Sequence, residues 1–258
     1  MPDRLRARSS VRTAVVWDVL EATLGRLAAR PQDVGGGSAA GVLDVLDAGG
    51  GTGGFAVPVA ELGHRVLVVD PSPDSLAALE RRAAEAGVTD RIRGVQGDAG
   101  ELVGLVDPDS FDVVLCHSVL EVVDDVPAAV AAIAGCLRPG GAASVLVANR
   151  NAVVLARAVA GHVAEAHHAL ADPDGRWGVG DPVPRRFDYA EVVALLERGG
   201  LRIDAVHGVR IFADLVPGAV VDSEPGALAA LRELEAAAAE QPAFRDVATQ
   251  LHVLASRS

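Results

Sequence analysis

The chain has 258 residues, half of them apolar, with aromatic residues at only 3%. That length suits one generous α/β domain whose core is built from Ala, Val and Leu rather than from rings. The formal net charge is −12 and there is no lysine, so all basic residues are arginine; this argues against non-specific nucleic-acid binding, which needs a basic surface, and leaves only a local arginine patch for that purpose.

In chain order, residues 10–30 read as a helix, with Val16, Leu20, Leu24 and Leu27 on one face. Pro31 and Gly35-Gly36-Gly37-Ser38 read as a flexible linker. Val42–Leu46 is a short apolar strand, and the glycine-rich segment 49–54 opens a helix that runs to Leu62. Arg65–Val69 is the second strand. Ser72 is the N-cap of the next helix, with Pro73 at its first position and Gly87 as a left-handed end. Ile92–Gln96 and Phe111–Cys116 are the third and fourth strands. A helix from Asp125 and Pro127 stops before Arg138-Pro139-Gly140-Gly141, and Ala143–Ala148 is the fifth strand. Five strands with helical crossovers imply a parallel, doubly wound sheet.

Beyond it, Asn151–Leu170 reads as one helix and Asp172–Phe187 as a loop rich in Pro, Gly and Arg. Asp188 caps a helix that stops at Gly199-Gly200. Leu201–Phe212 reads as strand, 225–240 as helix, and Val247–Ala255 as a last strand alternating enough to be antiparallel. The expected plan is a single domain over 1–258. Its parts are a cap helix at 10–30, a cofactor-binding core at 42–148, a substrate lid at 149–190, and C-terminal strands and helix at 191–258.

Cys116 and Cys136 lie in apolar contexts outside any CxxC pair, as reduced buried thiols do in a cytoplasmic protein. No signal peptide or membrane-spanning run is visible, so a cytoplasmic location is expected. The histidines show no ligand-like spacing, so no metal is expected.

The chemistry concentrates in Asp47-Ala48-Gly49-Gly50-Gly51-Thr52-Gly53-Gly54. A glycine loop between strand and helix lets the backbone approach a ligand at the carboxyl edge of an open sheet. Gly49, Gly51 and Gly54 also satisfy GxGxxG, which keeps a nicotinamide dinucleotide, and hence an oxidoreductase, open. Three features point elsewhere. Asp47 precedes the glycines in the pattern D-x-G-x-G-x-G. Asp70 ends the second strand, positioned for ribose hydroxyls. Gly97-Asp98-Ala99 ends the third strand, and Leu137-Arg138-Pro139-Gly140-Gly141 precedes the fifth.

On these residues the chain resembles class I S-adenosylmethionine-dependent methyltransferases. The resemblance implies a Rossmann-like α/β fold, a seven-stranded mostly parallel sheet with a helical cap. His117-Ser118-Val119-Leu120-Glu121 would face cofactor and acceptor, with cofactor contact the first choice for His117. The segment lacks the Asp/Asn-Pro-Pro-aromatic motif of amino methyltransferases. Val11 to Trp17, Pro184-Arg185, Gly208-Val209-Arg210-Ile211-Phe212 with Asp214, and Leu251-His252-Val253 extend the likeness nearly end to end, toward the bacterial family acting on tRNA 5-carboxymethoxyuridine. That implies methyl transfer to a carboxylate in the anticodon loop of tRNA. S-adenosyl-L-methionine would be held by Arg12, Asp47, Gly49, Gly50, Gly51, Gly53, Asp70, Asp98, Ala99 and His117. Arg12 would pair with the methionine carboxylate, since a guanidinium suits bidentate binding. Arg150, Arg185, Arg210 and Tyr189 are candidates for clamping the acceptor, with Arg186 beside them. The alternative acceptor is a small carboxylate or hydroxyl substrate of an O-methyltransferase.

Overall fold

The computed structural model describes residues 2–30 and 41–258; the expected linker of Pro31 and Gly35-Gly36-Gly37-Ser38 lies outside the described residues. In chain order the elements are α1 (Pro2–Ala28), β1 (Asp44–Ala48), α2 (Ala56–Glu61), β2 (Arg65–Asp70), α3 (Pro73–Ala86) and β3 (Ile92–Gln96). A 3-10 turn (Ala99–Glu101) and α4 (Leu102–Leu105) lead to β4 (Phe111–His117), α5 (Val126–Cys136) and β5 (Leu137–Ala148). Then come α6 (Arg150–Val159), α7 (Val163–Ala171), α8 (Tyr189–Arg198), β6 (Leu201–Val209), α9 (Gly218–Ser223), α10 (Ala227–Ala238), α11 (Pro242–Arg245) and β7 (Gln250–Arg257).

The strands form one seven-stranded sheet in the order β3-β2-β1-β4-β5-β7-β6. β1 pairs parallel with β2 and with β4, and β2 pairs parallel with β3. The chain steps outward from β1 to β3 and then returns to the other side of β1. The order therefore reverses between β1 and β4, and a crevice at such a reversal is where open α/β sheets take their ligands. Val45, Leu46, Val113, Val114, Leu115 and Cys116 are buried without alternation, as strands covered on both faces must be.

The chain divides into two compact units. The first comprises Glu21–Val145, Ala194–Asp204 and Leu254–Ser258, and contains β1 to β4 and α2 to α5. Here α3 begins as the sequence predicts: Ser72 accepts the amide of Ser75, Pro73 follows, and Gly87 closes the helix at φ +70°. Arg138 binds Asp112 at 2.7 Å and Asp44 at 3.0 Å. A Cβ on Gly141 would lie 2.9 Å from the Arg138 carbonyl and 3.0 Å from that of Asp112. So Arg138-Pro139-Gly140-Gly141 does not precede the fifth strand but begins it, anchored by its arginine and by close backbone packing at Gly141.

The second unit runs from the N-terminal segment to Leu20 and includes Leu146–Val193 and Ala205–Val253. The predicted helix over Asn151–Leu170 is two helices, α6 and α7, because Gly161 turns left-handed at φ +84° between them. The loop over 172–187 is built around a buried fork: Arg186 donates to both oxygens of Asp181 at 2.7 and 2.9 Å, and Asp181 also accepts the amides of Trp177 and Val183. Asp188 and Glu191 cap each other's backbone amides at the head of α8, a reciprocal capping box. β6 ends at Val209 rather than Phe212, since Arg210 adopts φ +61°. In β7, Leu251 through Ala255 are all buried, so the apparent alternation reflects residue type rather than a solvated face. Among the described residues no helix is long and apolar enough to cross a membrane.

Candidate active site

In the first unit, the carboxyl ends of β1, β2 and β4 carry the glycine loop and its neighbours. Asp47 is buried at the end of β1, in register with Val68 and Leu115. Burial, followed by repulsion from Asp70, pushes its carboxyl up to about 7. A Cβ on Gly50 would fall 2.5 Å from the Asp47 carboxyl carbon and 2.9 Å from Val68 Cγ1. Gly49 has φ +74°, and a Cβ there would meet Val119 Cγ2 at 2.3 Å. The two motifs of the sequence, the glycine loop and His117–Glu121, therefore touch at Gly49.

The next glycines separate the two readings of the loop. A Cβ on Gly53 would strike Leu79 at 2.3 Å, whereas one on Gly54 would meet nothing within 4 Å. The third glycine of a dinucleotide fingerprint is there for close helix–strand packing. Gly54 has no such packing, so spacing Gly49-Gly51-Gly53 behind Asp47 is the one the structure uses, and the dinucleotide alternative falls.

Asp70 ends β2 and binds the loop directly: Oδ2 accepts the Gly51 amide at 2.8 Å and Oδ1 the Ser72 amide at 2.9 Å. A Cβ on Gly51 would lie 3.9 Å from that same Oδ2, leaving room beside the carboxylate. Asp98 caps the short turn after β3 by accepting the Gly100 amide at 2.7 Å, and Ala99 next to it is buried. His117 ends β4 with Nε2 2.9 Å from Ser144 Oγ and its ring edge-on to Phe55, centroids 4.5 Å apart. Burial lowers the His117 imidazole to about 4, so it is neutral at physiological pH and a weak base. Ser118, next in the chain, is a non-glycine residue at φ +57°, so the backbone turns sharply as it leaves the strand.

In the second unit, Arg12 on α1 and Arg210 after β6 share one carboxylate. Arg210 Nη2 lies 2.6 Å from Asp214 Oδ2, and Arg12 Nη2 lies 3.3 Å from Oδ1. Thr249 Oγ1 donates toward the Arg210 carbonyl at 3.0 Å and sits 3.1 Å from Asp214 Oδ2. These two guanidiniums and one carboxylate leave an excess of one positive charge. The other clamp candidates do not gather with them. Arg150 binds Glu191 at 2.9 Å and the Pro173 carbonyl, and Arg185 lies 3.5 Å from Asp174. Tyr189 carries the guanidinium of Arg245 over its ring at 3.9 Å. Arg186 is consumed by Asp181 inside the loop and is a structural residue.

The roles of Asp214 as shared partner, of Ser144 beneath His117 and of Phe55 against it were not legible in the sequence. Each is an ordinary residue whose importance lies only in what it touches.

A glycine loop over a buried acid, a second acid at the next strand end and a sheet reversing beside them make the ligand-binding edge of an open α/β sheet. Residues 46–145 match the family model described as a methyltransferase domain. Over those residues the chain carries a methyltransferase domain. It is 28% identical to the tRNA 5-carboxymethoxyuridine methyltransferase of Escherichia coli (strain K12) over 250 residues, covering 97% of this chain and 89% of that protein. It is 34% identical to the ubiquinone biosynthesis O-methyltransferase of Xanthomonas euvesicatoria pv. vesicatoria over 167 residues, covering 64% of this chain and 65% of that one. Among solved structures, an S-adenosylmethionine dependent methyltransferase from Mesorhizobium loti superposes with a TM-score of 0.58 at 21% identity, covering 96% of this chain and 100% of that one.

Proposed function

We propose that this enzyme methylates a carboxylate oxygen, and that its acceptor is the wobble 5-carboxymethoxyuridine of a tRNA. The observation that carries the reading is the gathering of Arg12 and Arg210 at Asp214, which offers one guanidinium for the cofactor's methionine carboxylate and the other, Arg210, for the acceptor's. The near full-length similarity to the Escherichia coli tRNA enzyme supports it, since the match to the ubiquinone-pathway relative covers 64% of this chain.

The residues at the strand ends fit the cofactor. Asp70 and the space at Gly51 suit a ribose, Asp98 and Ala99 an adenine, and Asp47, Gly49, Gly50, Gly53 and His117 the rest of the cradle. Arg12 is assigned to the methionine carboxylate by resemblance, and its bond to Asp214 would then be exchanged or shared when that carboxylate arrives. When bound, S-adenosylmethionine supplies an already activated methyl group. What remains for the protein is alignment, worth about 7–11 kcal/mol when two reactants are held in line. A carboxylate with a pKa near 4 is ionised at neutral pH and needs no general base. That agrees with a neutral His117 bonded to Ser144, which orients rather than abstracts. Arg210 would hold the acceptor carboxylate, with Arg150, Arg185 and Tyr189 closer to the loop over 172–187 as secondary contacts.

The test is transfer of radiolabelled methyl to tRNA carrying 5-carboxymethoxyuridine, with tRNA lacking that group as control. Base-labile label on the first alone is the expected result. Cofactor binding without transfer to tRNA would sink the tRNA acceptor and favour a small carboxylate or hydroxyl compound.

A further inference from the structure

We infer that Glu235 is a positioning residue that holds Arg210 in place for the acceptor; this rests on the assignment of Arg210 as the acceptor's clamp. Glu235 lies on α10 and only 1% of it is exposed. A carboxylate is buried only where donors surround it. Its donors are three consecutive backbone amides. Ile211 donates to Oε2 at 2.9 Å, and Phe212 and Ala213 donate to Oε1 at 2.8 and 2.7 Å.

Successive amides that point at one anion form a concavity, which requires a left-handed residue beside right-handed ones. Arg210, immediately before them, is that residue, at φ +61°. Arginine gains nothing from this backbone, and the conformation persists only where its surroundings impose it. Glu235 imposes it by drawing in the amides that follow. The consequence is felt at the side chain. β6 stops at Val209, and Arg210 reaches Asp214 at 2.6 Å while its carbonyl accepts from Thr249. Arg210 Nε is buried with no hydrogen-bond partner among the described residues, so its N–H reports on how the side chain is seated. A carboxylate serving only to tie α10 to the strand would need one amide. Three in a row, next to a left-handed arginine, fix the direction in which that arginine leaves the backbone.

The experiment combines nitrogen-15 NMR of the full chain with acceptor kinetics. The Arg210 Nε–H resonance is assigned by its loss in Arg210→Gly, a change that suits left-handed backbone. Glu235→Gln keeps the shape but offers an N–H where an amide needs an acceptor. Glu235→Asp keeps the charge and withdraws it by one methylene. The resonance is expected to shift in both Glu235 variants. KM for tRNA carrying 5-carboxymethoxyuridine should rise roughly tenfold in Glu235→Gln, with affinity for S-adenosylhomocysteine unchanged. Combining Glu235→Gln with Arg210→Gly should add no further rise, because both act through one side chain. An unmoved resonance in both variants overturns the proposal, as does a KM effect that adds in full to that of Arg210→Gly. A wild-type KM in Arg210→Gly sinks the clamp reading itself, while the resonance separately upholds or overturns the hold of Glu235 on the arginine. Should Glu235→Gln fail to fold, Glu235→Asp carries both readouts.

Discussion

Gly50 and Gly54 stand four positions apart in one loop and face opposite demands. A methyl group at Gly50 has nowhere to go between the Asp47 carboxyl and Val68, whereas one at Gly54 meets only open space. Gly50→Ala is therefore expected to cost about 1–3 kcal/mol of local strain, which lowers affinity for S-adenosylhomocysteine roughly tenfold if the loop yields. Gly54→Ala should stay within about 0.5 kcal/mol of wild type. Isothermal calorimetry of both variants decides it, and equal affinities would mean that the carboxyl of Asp47 moves aside without consequence. At this scale much could be read ahead of the structure. Asp47 and Asp70 announce themselves by following apolar strand runs, Asp98 by following Gly97 after β3, and position at a strand end is a one-dimensional property. The bond from Asp70 to the Gly51 amide follows the same logic, two strand ends being neighbours. What stayed hidden are pairs that depend on three-dimensional folding: Arg12 with Asp214, Glu235 with the amides after Arg210. No local pattern ties residues so far apart: the resemblance singles out Asp214 without its partner, and Glu235 looks like a solvated helix residue in the sequence.

Most elements of the first unit were legible because β1, β2 and β4 are short apolar runs and α3 and α5 carry side-chain caps. Ser72, Pro73 and Gly87 mark α3 at both ends. The second unit was read less well, for identifiable reasons. Gly161 breaks a helix that apolar spacing alone would continue, and Arg210 ends a strand that its neighbours would extend. The loop over 172–187 looks irregular in sequence yet contains a buried ion pair with two further donors. That pair should behave unlike the surface one beside it. Removing one partner of a buried, bonded pair costs about 3–5 kcal/mol, and an exposed pair about 0–1 kcal/mol. Asp181→Asn, which strands Arg186, is expected to lower the urea midpoint far more than Asp174→Asn, which releases only Arg185. Similar midpoints for the two variants would show that the loop takes in water and the fork is not truly buried.

For the molecule as a whole, stability against pH joins opposed effects. His117 is held down to about 4, and burial also lowers His64 and His207. A histidine whose folded value lies below its unfolded one contributes stability above about pH 6.5 that is lost as the pH falls through the folded value. Asp47 works the other way. Its folded value of about 7 exceeds the unfolded one, so its contribution is full at low pH and lost as the pH rises through 7. Asp47→Asn is therefore expected to raise Tm at about pH 8 by on the order of 5 °C. It should also steepen the fall in Tm between about pH 6.5 and 4.5, where Asp47 offsets the histidines. Thermal scans that run parallel to wild type across this range would remove Asp47 from the balance. The strand order carries one further consequence. β7 is inserted between β5 and β6, both of which are synthesised before it, with α9, α10 and α11 made in the interval. On the ribosome, at ordinary rates of elongation, two unpaired strand edges therefore wait for seconds until the chain that will fill the gap emerges. Until β7 emerges, a nascent chain of this enzyme carries strand edges open to wrong partners.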